Sequence, residues 1–564
     1  MSFDMATLIY SALDSAPLIA AEVSFLLGIV AHLAIRPFEI DSQAWAIVFA
    51  YLGVIATLLF TYIQWCRFTI IGAILRTALV SNAFNVGLAS SILIYRAFFH
   101  RLHRFPGPFP AKLSRFYAMK NAAKAFKANE EVQKLHEIYG DFVRVGPREI
   151  SITRESAISI IYEPPNQCVR STWYSQVSDD VRKISLHTTR DLTAHKLRKR
   201  AWMRGLGFRA LAIYEEKIAS KVEILMSRIA EKQGTPIDMT LYTAFFGFDV
   251  MGQVGFSKDF NMLDSGHKHP AIQALHDNMV AVGVLSTVPW LMSMLGKIPG
   301  ATGSYARFAD WCARELQAKR DIENKNKETL KDRDPRDVIS WLLRAEDEND
   351  RSAPPGEGAF QEDSRLMIVA GSDTTAVALT NALFFLTKYP TCYRKLQEAV
   401  QAQFPEGATG WTYEKAKSIP YLDQVIRETL RLKPSAPGGL SRLTPPEGLQ
   451  IDEIFIPGDT IVSVPAYTIQ RDERYWENAL EFKPERWENL NPEKVAWIPF
   501  SRGQYSCPGK NLALMILRMV LSRIALEYNL ALRPGDDGEA FDKGAKDTFT
   551  LSVPELPIIF TAIN

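Results

Sequence analysis

Histidine is scarce, with nine residues at positions 32, 100, 103, 136, 187, 195, 267, 269 and 276 and none after His276. A hydrolase built on the chain order Ser, Asp, His needs a late histidine, so that class is excluded, and no HExxH zinc motif occurs. The five cysteines (Cys66, Cys168, Cys312, Cys392, Cys507) are odd in number, dispersed and never in a CxxC pair, which argues against a disulfide scaffold or a closed zinc site. There is no Asn-x-Ser/Thr sequon, no GxGxxG opening a helix after a strand, and no fixed-period repeat. A net charge of only +2 excludes a polycation that binds nucleic acid, and 47% apolar residues argue against disorder. These absences point to a reduced, cytosol-facing main domain.

Lysine is missing from the first 95 residues, the first being Lys112. What fills that region is apolar: stretches 16–35, 44–62 and 78–95 each approach the ~20 residues a helix needs to cross hydrocarbon. Residues 1–100 are therefore expected to be a membrane anchor with about three transmembrane helices. Asp4 and Asp14 stand where a signal peptide would carry basic residues, so the leader is not read as cleavable. Arg96 to Lys127 then holds eight basic residues and no acidic one, which places that side in the cytoplasm by the positive-inside rule. Arg67 and Arg76 are expected in the far-side loop between the second and third spans, and Glu22 within the first. Phe105-Pro106-Gly107-Pro108-Phe109-Pro110 cannot continue a helix, so the chain leaves the anchor in an extended, stiff form.

Residues 101–564 read as one large, mainly α domain with small peripheral sheets. Helical patterning covers 122–139, most of 191–343, 362–404 and 421–432, with breaks at 234–236 and 296–303 and a charged loop at 345–358. Strand-like alternation marks 141–145, 150–152, 449–457 and 460–467. Segment 366–386 is apolar enough to pass for a fourth span, but Asp373 near its middle would cost a few kcal/mol in lipid. It is read as a helix buried in the domain and lining a cavity.

The chemistry centres on Cys507, in Phe500-Ser501-Arg502-Gly503-Gln504-Tyr505-Ser506-Cys507-Pro508-Gly509. A thiolate at a helix start is favoured by the macrodipole and backbone N–H donors, and glycines let the backbone approach a flat partner. Phe500, Gly503, Cys507 and Gly509 fit the FxxGxxxCxG haem-thiolate loop of the cytochrome P-450 superfamily, which the sequence resembles at further points in the same order. Glu428-Thr429-Leu430-Arg431 and Pro484-Glu485-Arg486-Trp487 resemble the segments that brace that loop, with Glu428, Arg431 and Arg486 implied as a buried ion-pair network. Ala370-Gly371-Ser372-Asp373-Thr374-Thr375 resembles the oxygen-activation motif: small residues leave room for dioxygen, and Asp373 with Thr374 can relay protons. His195, Lys199 and Arg442 lie where the family holds the haem propionates.

The resemblance covers Phe105 to the end. It implies the cytochrome P-450 fold, haem b (iron protoporphyrin IX), and NADPH-dependent insertion of one oxygen atom from O2 into an organic substrate. Electrons then come from NADPH-cytochrome reductase, docking on the basic side near the Cys507 loop, with cytochrome b5 as a further donor and the endoplasmic reticulum as the membrane. The leader and the segments around Tyr95 and Asp141 look most like fungal members of secondary metabolism. Two departures stand out. Tyr505 replaces the usual Arg or His, so propionate binding there is expected to be weaker or to be taken over by a neighbour such as Arg502, and Gln470 replaces a common His. Segments 167–186, 279–295 and 435–439, with Val369 and Ala370, are expected to meet a small, apolar and bulky substrate. Rival readings are a haem-thiolate isomerase or dehydratase that uses no O2, and a multi-span transporter or scaffold.

Overall fold

The computed structural model describes residues 15–165, 168–177, 180–327 and 333–563. Asp4, Asp14, Gln167 and positions 178–179 of the expected substrate segment lie outside them. Three apolar helices come first: α1 (Pro17–Ile35), α2 (Ala44–Gln64) and α3 (Ile70–Ile94). Each is long and apolar enough to cross a membrane, and most of their surface is exposed. α1 and α3 pack closely because glycines face each other; a Cβ on Gly28 would fall 2.2 Å from the Phe84 carbonyl and one on Gly87 2.1 Å from that of Phe25. His32 and Ser91 share a 2.8 Å hydrogen bond across the same seam.

α3 starts at Ile70 rather than at 78, because Thr69 caps it by accepting from the Gly72 N–H. Arg76 therefore sits within the helix, not in the expected loop, and its Nη2 donates to the Ser15 carbonyl. A π turn, Tyr95–Phe99, ends the helix before the proline segment. The loop between α1 and α2 rests on the large domain: Glu39 lies 3.2 Å from Arg190 and 3.6 Å from Arg148, and Trp45 Nε1 donates to the Met294 carbonyl at 3.0 Å.

Helices dominate the large domain, and the sheets are small. β1 (Phe142–Gly146), β2 (Glu149–Ile152), β3 (Val169–Arg170), β4 (Arg442–Leu443) and β5 (Ile461–Ser463) form one sheet in the order β1-β2-β5-β4-β3. This order carries Arg170 and Arg442 side by side, directly paired across the β3–β4 ladder. The stretches expected as strands at 449–457 and 460–467 are a two-stranded hairpin, and β5 followed by the short helix Ala466–Ile469. The sheet of Pro236–Asp238, Tyr528–Leu532 and Pro557–Ala562, and the hairpin of β6 (Lys546–Thr548) with β7 (Thr550–Ser552), were not foreseen.

The site is framed by α4 (Leu192–Gly205), α5 (Met239–Phe256), α6 (Pro270–Leu285), α7 (Glu357–Lys388), α8 (Pro420–Leu432) and α9 (Lys510–Glu527). α7 is the long central helix, 32 residues starting at Glu357 rather than 362, and it is buried among the others rather than exposed like α1 to α3. Buried Phe, Leu, Ile and Met side chains of α5, α7, α8 and α9 make one continuous core.

One buried ion pair ties α4 to α7. Arg198 donates to Asp363 at 2.7 Å, with side-chain exposures of 5% and 0%, and also to the Ile184 carbonyl and Thr189 hydroxyl. Asp363 further accepts from the Leu186 N–H at 2.6 Å and from Trp202 Nε1. The loop 184–189 is thereby held over the central helix. Removing one partner strands the other charge in a dry site, so Asp363→Ala is expected to cost about 3–5 kcal/mol. Asp347→Ala, which breaks the exposed pair with Lys327, should cost at most ~1 kcal/mol; thermal denaturation of the two variants beside the parent protein reads the difference.

Candidate active site

Cys507 lies between a 3-10 turn, Gly503–Tyr505, and the start of α9. Its N–H donates to the Phe500 carbonyl at 2.9 Å, closing the loop on itself. Gly503 adopts φ +66, and a Cβ there would fall 2.0 Å from the Tyr162 carbonyl at the end of the helix Ser156–Tyr162, so no other residue fits without moving that backbone. The sulfur sits on the floor of a cavity of about 440 Å³ enclosed by α4, α7 and the Cys507 loop, and that cavity is what exposes the residue. Burial pushes the thiol above its ordinary value, while the N–H groups of Gly509 and Lys510 and the Lys199 ammonium pull it back. This donor set suits a sulfur bound to a metal, which holds a thiol deprotonated.

Glu428, Arg431 and Arg486 meet beneath that loop. The Glu428 carboxylate, fully buried, accepts from Arg431 Nη2 at 2.8 Å, Arg431 Nε at 2.9 Å, Arg486 Nε at 2.9 Å, Trp487 Nε1 at 2.9 Å and the Lys483 N–H at 3.0 Å. Arg431 spends its other donor on the Gln470 and Ala479 carbonyls, both at 2.7 Å. Gln470, the residue standing in place of a histidine, completes the brace. Its amide donates to the Leu430 and Arg431 carbonyls and its oxygen accepts from the Ile498 N–H at 2.7 Å.

Across the cavity, α7 presents Ala370, Asp373 and Thr374. The Thr374 hydroxyl donates back to the Ala370 carbonyl at 2.7 Å, and its own carbonyl accepts from Ser435 Oγ at 2.8 Å. Asp373 Oδ1 lies 3.3 Å from His276 Nε2 of α6. Gly371, expected to leave room for dioxygen, serves helix packing as well: a Cβ there would fall 2.2 Å from Met251 Sδ on α5. Ala370 is the small residue left facing the open space.

The expected anion contacts divide into three kinds. His195 lines the cavity and is pushed down to about 2 by burial and by the Arg170 and Lys199 charges, so it is a neutral ring. Lys199 also lines the cavity, but its ammonium is committed to the Gln504 and Ser506 carbonyls at 2.9 and 3.0 Å and to Ser506 Oγ. Arg442 is fully buried, and its Nε and Nη2 have no hydrogen-bond partner among the described residues. Two orphaned guanidinium nitrogens are what a carboxylate ligand would satisfy.

The expectation for Arg502 is corrected. Its guanidinium donates to the Pro492, Val495 and Trp497 carbonyls and faces Glu163, so it braces the loop from outside. Nor is the Tyr505 hydroxyl free for a carboxylate, since it donates to the Arg190 carbonyl at 3.3 Å. Instead two guanidiniums lie over the Tyr505 ring, Arg170 at 4.5 Å and Arg442 at 4.8 Å, with the His195 ring at 4.5 Å. Arg170, unforeseen as a site residue, lines the cavity in full burial. It lies inside the expected substrate segment, where Arg182 and Lys183 gave the sequence no reason to single it out. His187 and His276 were also passed over, and in a chain with nine histidines each one near the cavity carries information.

Comparison with known proteins agrees with this geometry. The family model described as cytochrome P450 matches residues 106–561. A cytochrome P450 monooxygenase, FCK2, of Fusarium pseudograminearum is 37% identical, covering 95% of this chain and 96% of its own. Tryprostatin B 6-hydroxylase of Neosartorya fischeri is 32% identical over 86% of this chain and 87% of its own. In fold, the crystal structure of the cytochrome P450DA heme domain superposes with a TM-score of 0.66 at 16% identity, covering 82% of this chain and 97% of that one. A transporter or scaffold is overturned by the match, since it covers the whole large domain. With relatives named as monooxygenases and a family model that matches most of the chain, the chain is an oxidoreductase and belongs to the cytochrome P450 family.

Proposed function

We propose that the protein is a membrane-bound haem-thiolate monooxygenase that inserts one oxygen atom from O2 into an apolar organic substrate, in fungal secondary metabolism. The observation that carries this reading is the cavity itself: Cys507 on its floor, Ala370 and Thr374 on the facing helix, and mostly apolar walls between them. Haem bound there would supply dioxygen binding and thiolate-assisted O–O cleavage. The residues that would hold it are Cys507 through the iron, Phe500, Gly503 and Gly509 around the sulfur, and Arg442 with Arg170 and His195 at the acidic edge.

The chain's own residues have separable tasks. Glu428, Arg431 and Arg486 fix the loop's position, and Lys199 holds its carbonyls. Thr374 and Asp373 would handle protons at the face of the cavity opposite the sulfur. The apolar walls exclude water and select substrate. Three apolar helices and the basic segment after them support a multi-pass anchor in the endoplasmic reticulum, the catalytic domain facing the cytosol. The α1–α2 loop, seated on the large domain through Glu39, fits that orientation. Electrons from NADPH would arrive through a reductase, with cytochrome b5 as a second donor.

The reduced carbon monoxide difference spectrum of the purified protein should show the thiolate-haem band, and Cys507→Ala should abolish it; a band that survives the substitution overturns the reading. Glu428→Ala removes the shared partner of two guanidiniums and should leave the protein with little or no retained haem, measured as haem per chain after size exclusion. Thr374→Ala should keep the band yet lower product formed per NADPH consumed by about 10²-fold, the usual weight of a positioned proton donor. Turnover that needs neither NADPH nor O2 would favour an isomerase.

A further inference from the structure

Most polar groups around the cavity are already committed. Tyr162 donates to the Leu440 carbonyl, Ser435 to that of Thr374 and Thr374 to that of Ala370, while Asp373 is paired with His276 and Trp202 with Asp363. His187 differs. It lines the cavity, and its ring makes no hydrogen bond to any of the described residues.

The ring is nevertheless fixed. It stands edge-on to Tyr174 at 5.2 Å and to Phe549 at 6.1 Å. The backbone on either side is pinned, Leu186 by Asp363 and Arg170, Thr189 by the Ser185 carbonyl. Burial and the Arg170 and Arg442 charges push the imidazole down to about 3, so it is neutral and offers one donor and one acceptor.

Phe549 beside it carries an independent mark. It is the turn residue between β6 and β7 and adopts φ +81, a costly conformation for a bulky side chain. Neighbours enforce it: the Phe549 N–H donates to Asp547 Oδ1 at 3.2 Å, Leu551 N–H to the Ser435 carbonyl at 2.9 Å, and the Trp173 ring stacks on Phe549 at 5.3 Å with a 4° interplanar angle. The outcome is an aromatic ring on the cavity wall, 37% exposed. A hydrogen-bonding group and a flat apolar face therefore lie side by side, a preformed pair of the kind that orients a ligand in an otherwise apolar pocket.

We propose that His187 is the polar anchor of the substrate site, and that the substrate is a flat, largely apolar molecule presenting one hydroxyl or N–H group to the imidazole while its ring packs on Phe549. This rests on the monooxygenase reading and adds the substrate class to it.

The test is equilibrium dialysis of the full-length haem-loaded protein with 2-naphthol and with 2-methylnaphthalene, which share shape and differ in the hydrogen-bonding group. The wild type should hold 2-naphthol about tenfold more tightly, one net hydrogen bond's worth. His187→Phe should bring the two probes level and keep the thiolate-haem band. His187→Asn should keep part of the preference, and Phe549→Ala should weaken both probes alike. An unchanged preference in His187→Phe, or a wild type that does not bind 2-naphthol, overturns the proposal. Loss of haem from His187→Phe does so too, by assigning the ring to the cofactor. Absence of the band from the wild type would sink the monooxygenase reading itself, and this inference with it, whereas a present band with an unchanged preference sinks only the inference.

Discussion

The buried Glu428 carboxylate is the interaction on which the rest of the site depends. A carboxylate with no exposed surface is tolerable only when its oxygens are saturated, and here five N–H donors from Arg431, Arg486, Trp487 and Lys483 do that. Two of these donors are on Arg431, in the same helix as the carboxylate, and the other three come from the short stretch 483–487. Trp487 packs edge-on to Trp497 at 5.6 Å, Trp497 on Phe500 at 6.1 Å, and the Phe500 carbonyl receives the Cys507 N–H. Arg431 meanwhile grips the Gln470 carbonyl, and Gln470 grips Ile498. One anion in α8 is thus linked to the Cys507 loop by two routes, one through edge-to-face aromatics and one through hydrogen bonds to the backbone.

That dependence explains which features were legible in the sequence. Cys507, its glycines and the Glu428/Arg431/Arg486 set could be picked out because each sits in a short contiguous segment that resembles a family motif, although the chemistry of the Glu428–Arg431 pair alone would not single it out. The long helices were legible through apolar periodicity, though α3 began earlier than its hydropathy indicated, since Thr69 supplies a cap and Arg76 finds a carbonyl. Arg170, His187 and His276 were not legible as site residues. Their roles arise from neighbours far along the chain: Arg170 from its pairing with Arg442 and its stack on Tyr505, His187 from Phe549, His276 from Asp373. The strands of the C-terminal hairpin are too short to show a period, and their place is set by contact with α6 and α7.

The replacement at position 505 shows how such long-range contacts revise a motif-level expectation. A tyrosine there removes a cation from the Cys507 loop, and the nearest loop cation, Arg502, points outward to carbonyls of its own segment. Charge is nevertheless not lost from that edge of the cavity. The β3–β4 ladder brings Arg170 and Arg442 together, and two guanidiniums so close would repel in a dry site unless something lay between or beside them. Both guanidiniums lie over the Tyr505 ring, whose electron-rich face attracts a cation. With its hydroxyl tied to Arg190, the ring cannot swing away, and Arg442 keeps two donors unmet. The positive charge on this edge of the cavity therefore comes from the sheet, as Arg170 and Arg442, and the Cys507 loop contributes the aromatic ring that both guanidiniums lie over.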